Sequence, residues 1–209
     1  MKLGYWNYVY VPESRAITAY LAEKYKETGC DLLRHNDLKE AALVKVWLEV
    51  ESQQYHPAIY QIVYQFFVLP LQGKTADQAI IDVNLEKLGK VLDVYEARLG
   101  TTKCLAGDFY SLADLHHLSY TYYFMKTPWA SLINSRPNVK AWWEDISSRP
   151  AFKKVAEGMT FGEKWSVSEQ CGSMFLGNIN CSGCCLLITF IKVWDHVIIT
   201  DYVLWFALN

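Results

Sequence analysis

No sign of charge predominates in this sequence. Its 209 residues carry 20 lysines and arginines against 22 aspartates and glutamates, a formal net charge of −2. That balance supplies no basic stripe to neutralise phosphates, so nucleic acid is not expected as a partner. Metal-ligand arrays of histidine are missing too. His35, His56 and His196 stand alone, and His116 and His117 are neighbours. Adjacent residues on a helix face about 100° apart and cannot grip one ion together, so no metal is expected. No uninterrupted apolar stretch follows Met1-Lys2. A secretory signal is therefore not expected, and the cytoplasm is the expected compartment. Paired cysteines are missing over most of the length. Cys30 and Cys104 are isolated, while Cys171, Cys181, Cys184 and Cys185 crowd into the last stretch, which argues for a reduced protein rather than a disulfide framework. Nothing repeats at a fixed period, which excludes a solenoid.

What is present is apolar material, 52% of the residues, in patterns that are mostly helical. Residues 4–11 are aromatic and β-branched and read as one strand ended by Pro12. Ser14 is a good N-cap for a helix over 14–25, with Gly29 as its stop. Residues 37–69 form a long apolar-periodic stretch capped by Asp37, with a kink or break expected at Pro57. Over 75–99, Thr75 or Asp77 caps an amphipathic helix striped by Leu85, Leu88, Leu92, Tyr95 and Leu99. A further helix is expected over 111–125, then one capped by Asn138, then a short one from Ala151 to Met159. The fold class is mostly α: one strand followed by a helical bundle.

Several residues admit both a structural and a chemical reading. Ser111 and Asp114 have capping-box spacing, which accounts for both without chemistry. Ser14 can be a cap alone, or a hydroxyl that meets an anion at a helix N-terminus. Trp142 and Trp143 fit core and groove lining better than a cofactor box. From Trp165 to Asn209 the sequence turns apolar and loses nearly all charge. Its apolar run is broken by Lys192, Asp195 and Asp201, short of the ~20 residues that a membrane anchor needs. Cys181 and Cys184 have CxxC spacing but no second pair, so a metal site there is disfavoured.

The segment Pro12-Glu13-Ser14-Arg15-Ala16-Ile17 resembles the E-S-R-A-I signature of glutathione S-transferases. Asn84 to Leu99 (NLEKLGKVLDVYEARL), Leu105 to Leu115 (LAGDFYSLADL) and Arg136 to Val155 (RPNVKAWWEDISSRPAFKKV) are similar to the phi class of plants. The resemblance covers about residues 13–164. It implies a remnant of a thioredoxin-like glutathione-binding domain at 1–29 (one strand, one helix), a linker at 30–36, and an all-helical C-terminal domain at 37–164. Residues 165–209 form an apolar tail unrelated to the family. It also implies that Glu13 and Ser14 hold the γ-glutamyl end of glutathione, and that Ile59, Val63 and Phe67 wall a site for an apolar co-substrate. Ser111 and Asp114 become a folding element. The family conjugates glutathione to small hydrophobic electrophiles in detoxification and works as homodimers without a metal. No serine precedes Ser14, so the family's catalytic serine has no counterpart here. The expectation is a weakly active or inactive homologue; the alternatives are a non-catalytic helical binding module or a non-functional truncated product.

Overall fold

A computed structural model of the chain describes residues 13–159. The strand expected over 4–11 and the tail over 165–209 lie outside the described residues. Within them all regular structure is helical. The first helix, α1, spans Ser14–Lys24. Its N-cap is Glu13 rather than Ser14, because the Glu13 carbonyl accepts the first helical bond, from the Ile17 amide at 3.0 Å.

The long stretch after residue 37 is a single helical run, but it is not uniform. It comprises α2 (Leu38–Val50), a π turn over Glu51–Tyr55, α3 (His56–Val63), a second π turn over Tyr64–Val68, and α4 (Leu69–Leu71). Asp37 caps it, its carboxylate accepting the amides of Lys39 and Glu40. A kink or break is expected at Pro57; the helix does not break there, and a widened turn precedes the proline. A proline has no N–H to bond the carbonyl four residues back, and its ring presses on that carbonyl. Pro57 and Pro70 each follow one of the π turns, so the extra residue makes room and the helix continues through both. Gly73, at φ 70°, then closes the run, with the Lys74 amide bonded to the Leu69 carbonyl at 2.9 Å.

Helix α5 (Gln78–Leu99) is capped by Asp77 and buries Ile81, Leu88, Leu92, Tyr95 and Leu99. The region expected as one helix over 111–125 is two: α6 (Leu112–Leu115) and α7 (Leu118–Phe124), joined at His116 and His117. A short α8 (Ser131–Asn134) follows, then α9 (Pro137–Ser148) and α10 (Pro150–Ala156). The α9 cap is Arg136, not Asn138. The reason is remote in sequence: the Glu96 carboxylate on α5 accepts the amides of Asn138 at 3.0 Å and Val139 at 2.9 Å. A carboxylate at a helix N-terminus also meets the positive end of the dipole. Replacing Glu96 with alanine is therefore expected to cost about 1 kcal/mol; a urea melt followed by far-ultraviolet dichroism measures it.

The core lies where α3, α5, α7 and α9 converge, around Tyr55, Ile59, Leu88, Leu92, Tyr95, Phe124 and Ile146, none more than 1% exposed. Burial of each such side chain is worth about 2 kcal/mol. A smaller cluster of Ala22, Leu32 and Leu112 seats α1 on α6. The segment read as a linker takes part in it: the Leu32 carbonyl accepts the Leu112 amide at 3.0 Å.

Candidate functional site at the start of α1

Two features of α1 set its N-terminus apart. The Glu13 side chain makes no cap bond to it, and among the described residues no side chain accepts from its first-turn amides. Glu13 sits at φ 72°, a conformation that costs a non-glycine residue about 1–3 kcal/mol. Glu13 is exposed and Ser14 half-buried, so both are open to a ligand.

Arg15, the next residue, fixes this end to the helical bundle. Its Nε and Nη2 donate to the two carboxylate oxygens of Glu51 at 2.9 and 3.0 Å. Such a two-pronged pair sets orientation as well as proximity. Glu51 opens the first π turn and is 2% exposed. Burial works to raise its carboxyl, but His116 and Arg15 outweigh that and bring it down from 4.5 to about 2. It is a permanent carboxylate inside the protein.

His116 completes the cluster. The Thr18 hydroxyl donates its one hydrogen to the Arg15 carbonyl at 3.0 Å, so it accepts from His116 Nε2 at 2.8 Å. That leaves Nδ1 3.8 Å from Glu51 Oε2, too long for a hydrogen bond. Its neighbour His117 points the other way, into the core. Nδ1 lies 2.7 Å from the Ala113 carbonyl, which can only accept, so that nitrogen carries the proton. Nε2 then accepts from the Tyr95 hydroxyl at 3.0 Å. Burial holds His117 below the ordinary histidine value, against the pull of Glu51. The two histidines thus serve different networks, and no group of metal-binding residues is found among the described residues.

Beside this cluster runs an aromatic face. His56, Tyr60 and Tyr64 recur every four residues along the run, ring centroids 5.7 and 5.6 Å apart, and Tyr120 of α7 packs on His56 at 4.7 Å and on Tyr60 at 6.0 Å. All four are half-buried. Tyr120, which joins this face, lies four residues after His116 of the ion cluster, and His56 five after Glu51. The three wall residues read from the sequence lie differently. Ile59 and Val63 are buried in the core, at 0% and 3% exposure, and only Phe67 is half-buried at the surface.

Ser111 and Asp114 lie away from this surface, wholly buried. The Ser111 amide and hydroxyl donate to Asp114 Oδ2 at 3.0 and 2.9 Å, while Oδ1 accepts from the Leu105 amide and the Trp142 indole, each at 3.0 Å. This is a capping box tied to two further parts of the fold.

Sequence reasoning gave no role to Glu51 and Thr18, and weighed His116 only as a metal ligand. The signal for Glu51 was present: it falls on the inward stripe Val44, Trp47, Glu51, Tyr55, where a lone carboxylate in an apolar row calls for a partner.

Residues 55–150 match the family described as glutathione S-transferase, C-terminal domain. Glutathione S-transferase F13 of Arabidopsis thaliana is 65% identical over 148 residues, which are 71% of this chain and 68% of that protein. The chain belongs to the glutathione S-transferase family. A glutathione transferase F7 from Populus trichocarpa is similar in structure, with a TM-score of 0.70 and 74% identity, over 71% of this chain and 70% of that one. Glutathione S-transferase I from maize, solved in complex with an atrazine–glutathione conjugate, superposes with a TM-score of 0.69 at 52% identity, over 72% and 70% of the two chains. These relatives place the chain with the phi class of plants and its close homologues among the transferases. The matched residues, 55–150, run from the end of the first π turn through α9 to the first residue of α10. No helix among the described residues is long and apolar enough to cross a membrane.

Proposed function

We propose that this chain carries the helical side of a phi-class glutathione site. The γ-glutamyl carboxylate would lie against the Ser14 hydroxyl and the first-turn amides of α1, where the helix dipole favours an anion. The Glu13 carboxylate would take the ammonium group. An apolar electrophile would stack along His56, Tyr60, Tyr64 and Tyr120, with Phe67 at the far end and Ile59 and Val63 supporting that wall from the core. The observation that carries this reading is the clamp of Arg15 on buried Glu51, which fixes an uncapped helix N-terminus in place.

Conjugation needs the glutathione thiol as its thiolate, which attacks the electrophilic carbon and expels the leaving group. A hydroxyl that donates to the sulfur lowers its pKa and favours that form. Ser14 is assigned to the carboxylate end of glutathione. The described residues are accordingly read as binding glutathione rather than as activating its sulfur.

Calorimetry with glutathione, beside a conjugation assay with an electron-poor aryl halide, tests both parts. Binding is expected, weakened about tenfold in Ser14→Ala, the usual effect of losing a hydrogen bond to a charged group. Product formation is expected not to exceed the buffer blank. Absence of binding by a chain that melts cooperatively would remove the site. Turnover above the blank, suppressed by an S-alkyl glutathione, would show that another group activates the thiol.

A further inference from the structure

Arg15, Thr18 and Ala22 follow one another at intervals of three and four, so they share the face of α1 that is turned to the bundle. Each is held differently. Arg15 pairs with Glu51, Ala22 packs with Leu32 and Leu112, and Thr18, 7% exposed, bonds to His116. The arginine alone leaves slack. Its guanidinium is carried on a long stem of rotatable bonds, and its side chain is 40% exposed. The Thr18 hydroxyl is attached directly to Cβ of a stiff, β-branched side chain. It donates back to the Arg15 carbonyl at 3.0 Å, so the hold of His116 reaches the backbone of the first turn. His116 belongs to the junction of α6 and α7, not to the run that carries Glu51. Ties to two separate elements fix the rotation of α1 as well as its position. His116 serves this bond at a cost: its side chain is 8% exposed, and its buried Nδ1 has no hydrogen-bond partner among the described residues. A leucine would avoid the orphaned nitrogen but could not donate to Thr18, so the bond accounts for the imidazole where packing does not.

We propose that His116, acting through Thr18, is a positioning residue for the glutathione site at the start of α1. The proposal rests on the assignment of glutathione to Glu13 and Ser14. Both stand at the beginning of the helix that Thr18 holds, and a binding constellation tolerates displacements of only about 0.5 Å. His116 touches no ligand; it sets the place of the groups that do.

Calorimetry with glutathione and thermal melts of the full chain test this. The double variant Thr18→Val/His116→Leu removes both partners and the orphaned nitrogen together. Its melting temperature is therefore expected within about 4 °C of the parent's, while its affinity for glutathione falls about fivefold. In His116→Gln the amide nitrogen stands as many bonds from Cα as Nε2 does, so binding should return to within about twofold of the parent. His116→Asn, one bond shorter, should bind as weakly as the double variant. The comparison of these two single variants decides the matter even if the double variant loses its cooperative melt. Two results would overturn the proposal alone: a double variant that binds as tightly as the parent, or affinities that follow the melting temperatures across the set with no recovery in His116→Gln. Absence of binding by the parent itself would remove the glutathione assignment, and the proposal with it.

Discussion

Replacing Asp114 with alanine is expected to lower the stability of the helical domain by about 4–6 kcal/mol, enough to erase a cooperative melt. The carboxylate is 0% exposed and accepts from four donors: the Ser111 amide, the Ser111 hydroxyl, the Leu105 amide and the Trp142 indole. Each buried donor left without a partner costs about 1–3 kcal/mol. The hydroxyl can rotate away, but the two amides and the indole cannot. A domain of this size is stable by about 5–15 kcal/mol in all, so losing three partners approaches the whole margin. Asp114→Asn separates this from a simple loss of volume. Its carbonyl can still serve Leu105 and Trp142, but its amino group then faces the Ser111 N–H, donor against donor. About 2 kcal/mol of loss is expected for it. Urea melts read by tryptophan fluorescence, with Trp142 as the local reporter, decide the matter. A loss below about 1 kcal/mol for the alanine variant would mean that the network does not hold α6 and α9 together.

What was legible in the sequence follows the range of the interactions. Asp37, Asp77 and the Ser111–Asp114 pair cap helices through bonds to residues two or three places on, and spacing alone reveals them. The stripe of α5 is equally local. The cap of α9 comes from Glu96, some forty residues away, so the sequence suggested Asn138 instead. Widened turns precede Pro57, where a kink or break is expected, and Pro70, because a long helix held on two sides loses less by bulging than by ending. The resemblance implies a wall of Ile59, Val63 and Phe67; α5 and α7 close over the first two, and no local pattern says which face of a helix gets covered. The half-exposed row His56, Tyr60, Tyr64, four residues apart, was readable as a face of its own. The family signature pointed to Glu13 and Ser14, but the use of Arg15 depended on finding Glu51, thirty-six residues on, beneath it.

Glu51→Gln is expected to cost about 3 kcal/mol at pH 7 and to lower the melting temperature by about 6–12 °C. Removing one partner of a buried pair is costly because the other is left behind; here the loss is moderated because Arg15 is 40% exposed and can turn to water. The pH dependence identifies the cause. The Glu51 carboxyl sits at about 2 when folded against an ordinary 4.5. A depressed acid contributes its full share above pH 4.5 and loses it as the pH falls toward 2; the displacement corresponds to about 3 kcal/mol. The gap between parent and variant should therefore be steady near neutrality and close below pH 4.5. His117 adds a feature between those limits. Burial depresses its value while Glu51 partly restores it, so in the variant the imidazole resists its proton more strongly. A histidine held low when folded loses stability as the pH drops through about 6.5, and the variant loses more of it. The gap should first widen between pH 6.5 and 4.5, then close. Urea melts at pH 7.5, 5 and 3 measure all three regimes. A gap that stays constant throughout would mean that Glu51 acts only as a filler of space. One that widens and then closes would mean that its charge fixes the start of α1, and with it the geometry of any site built from Glu13 and Ser14.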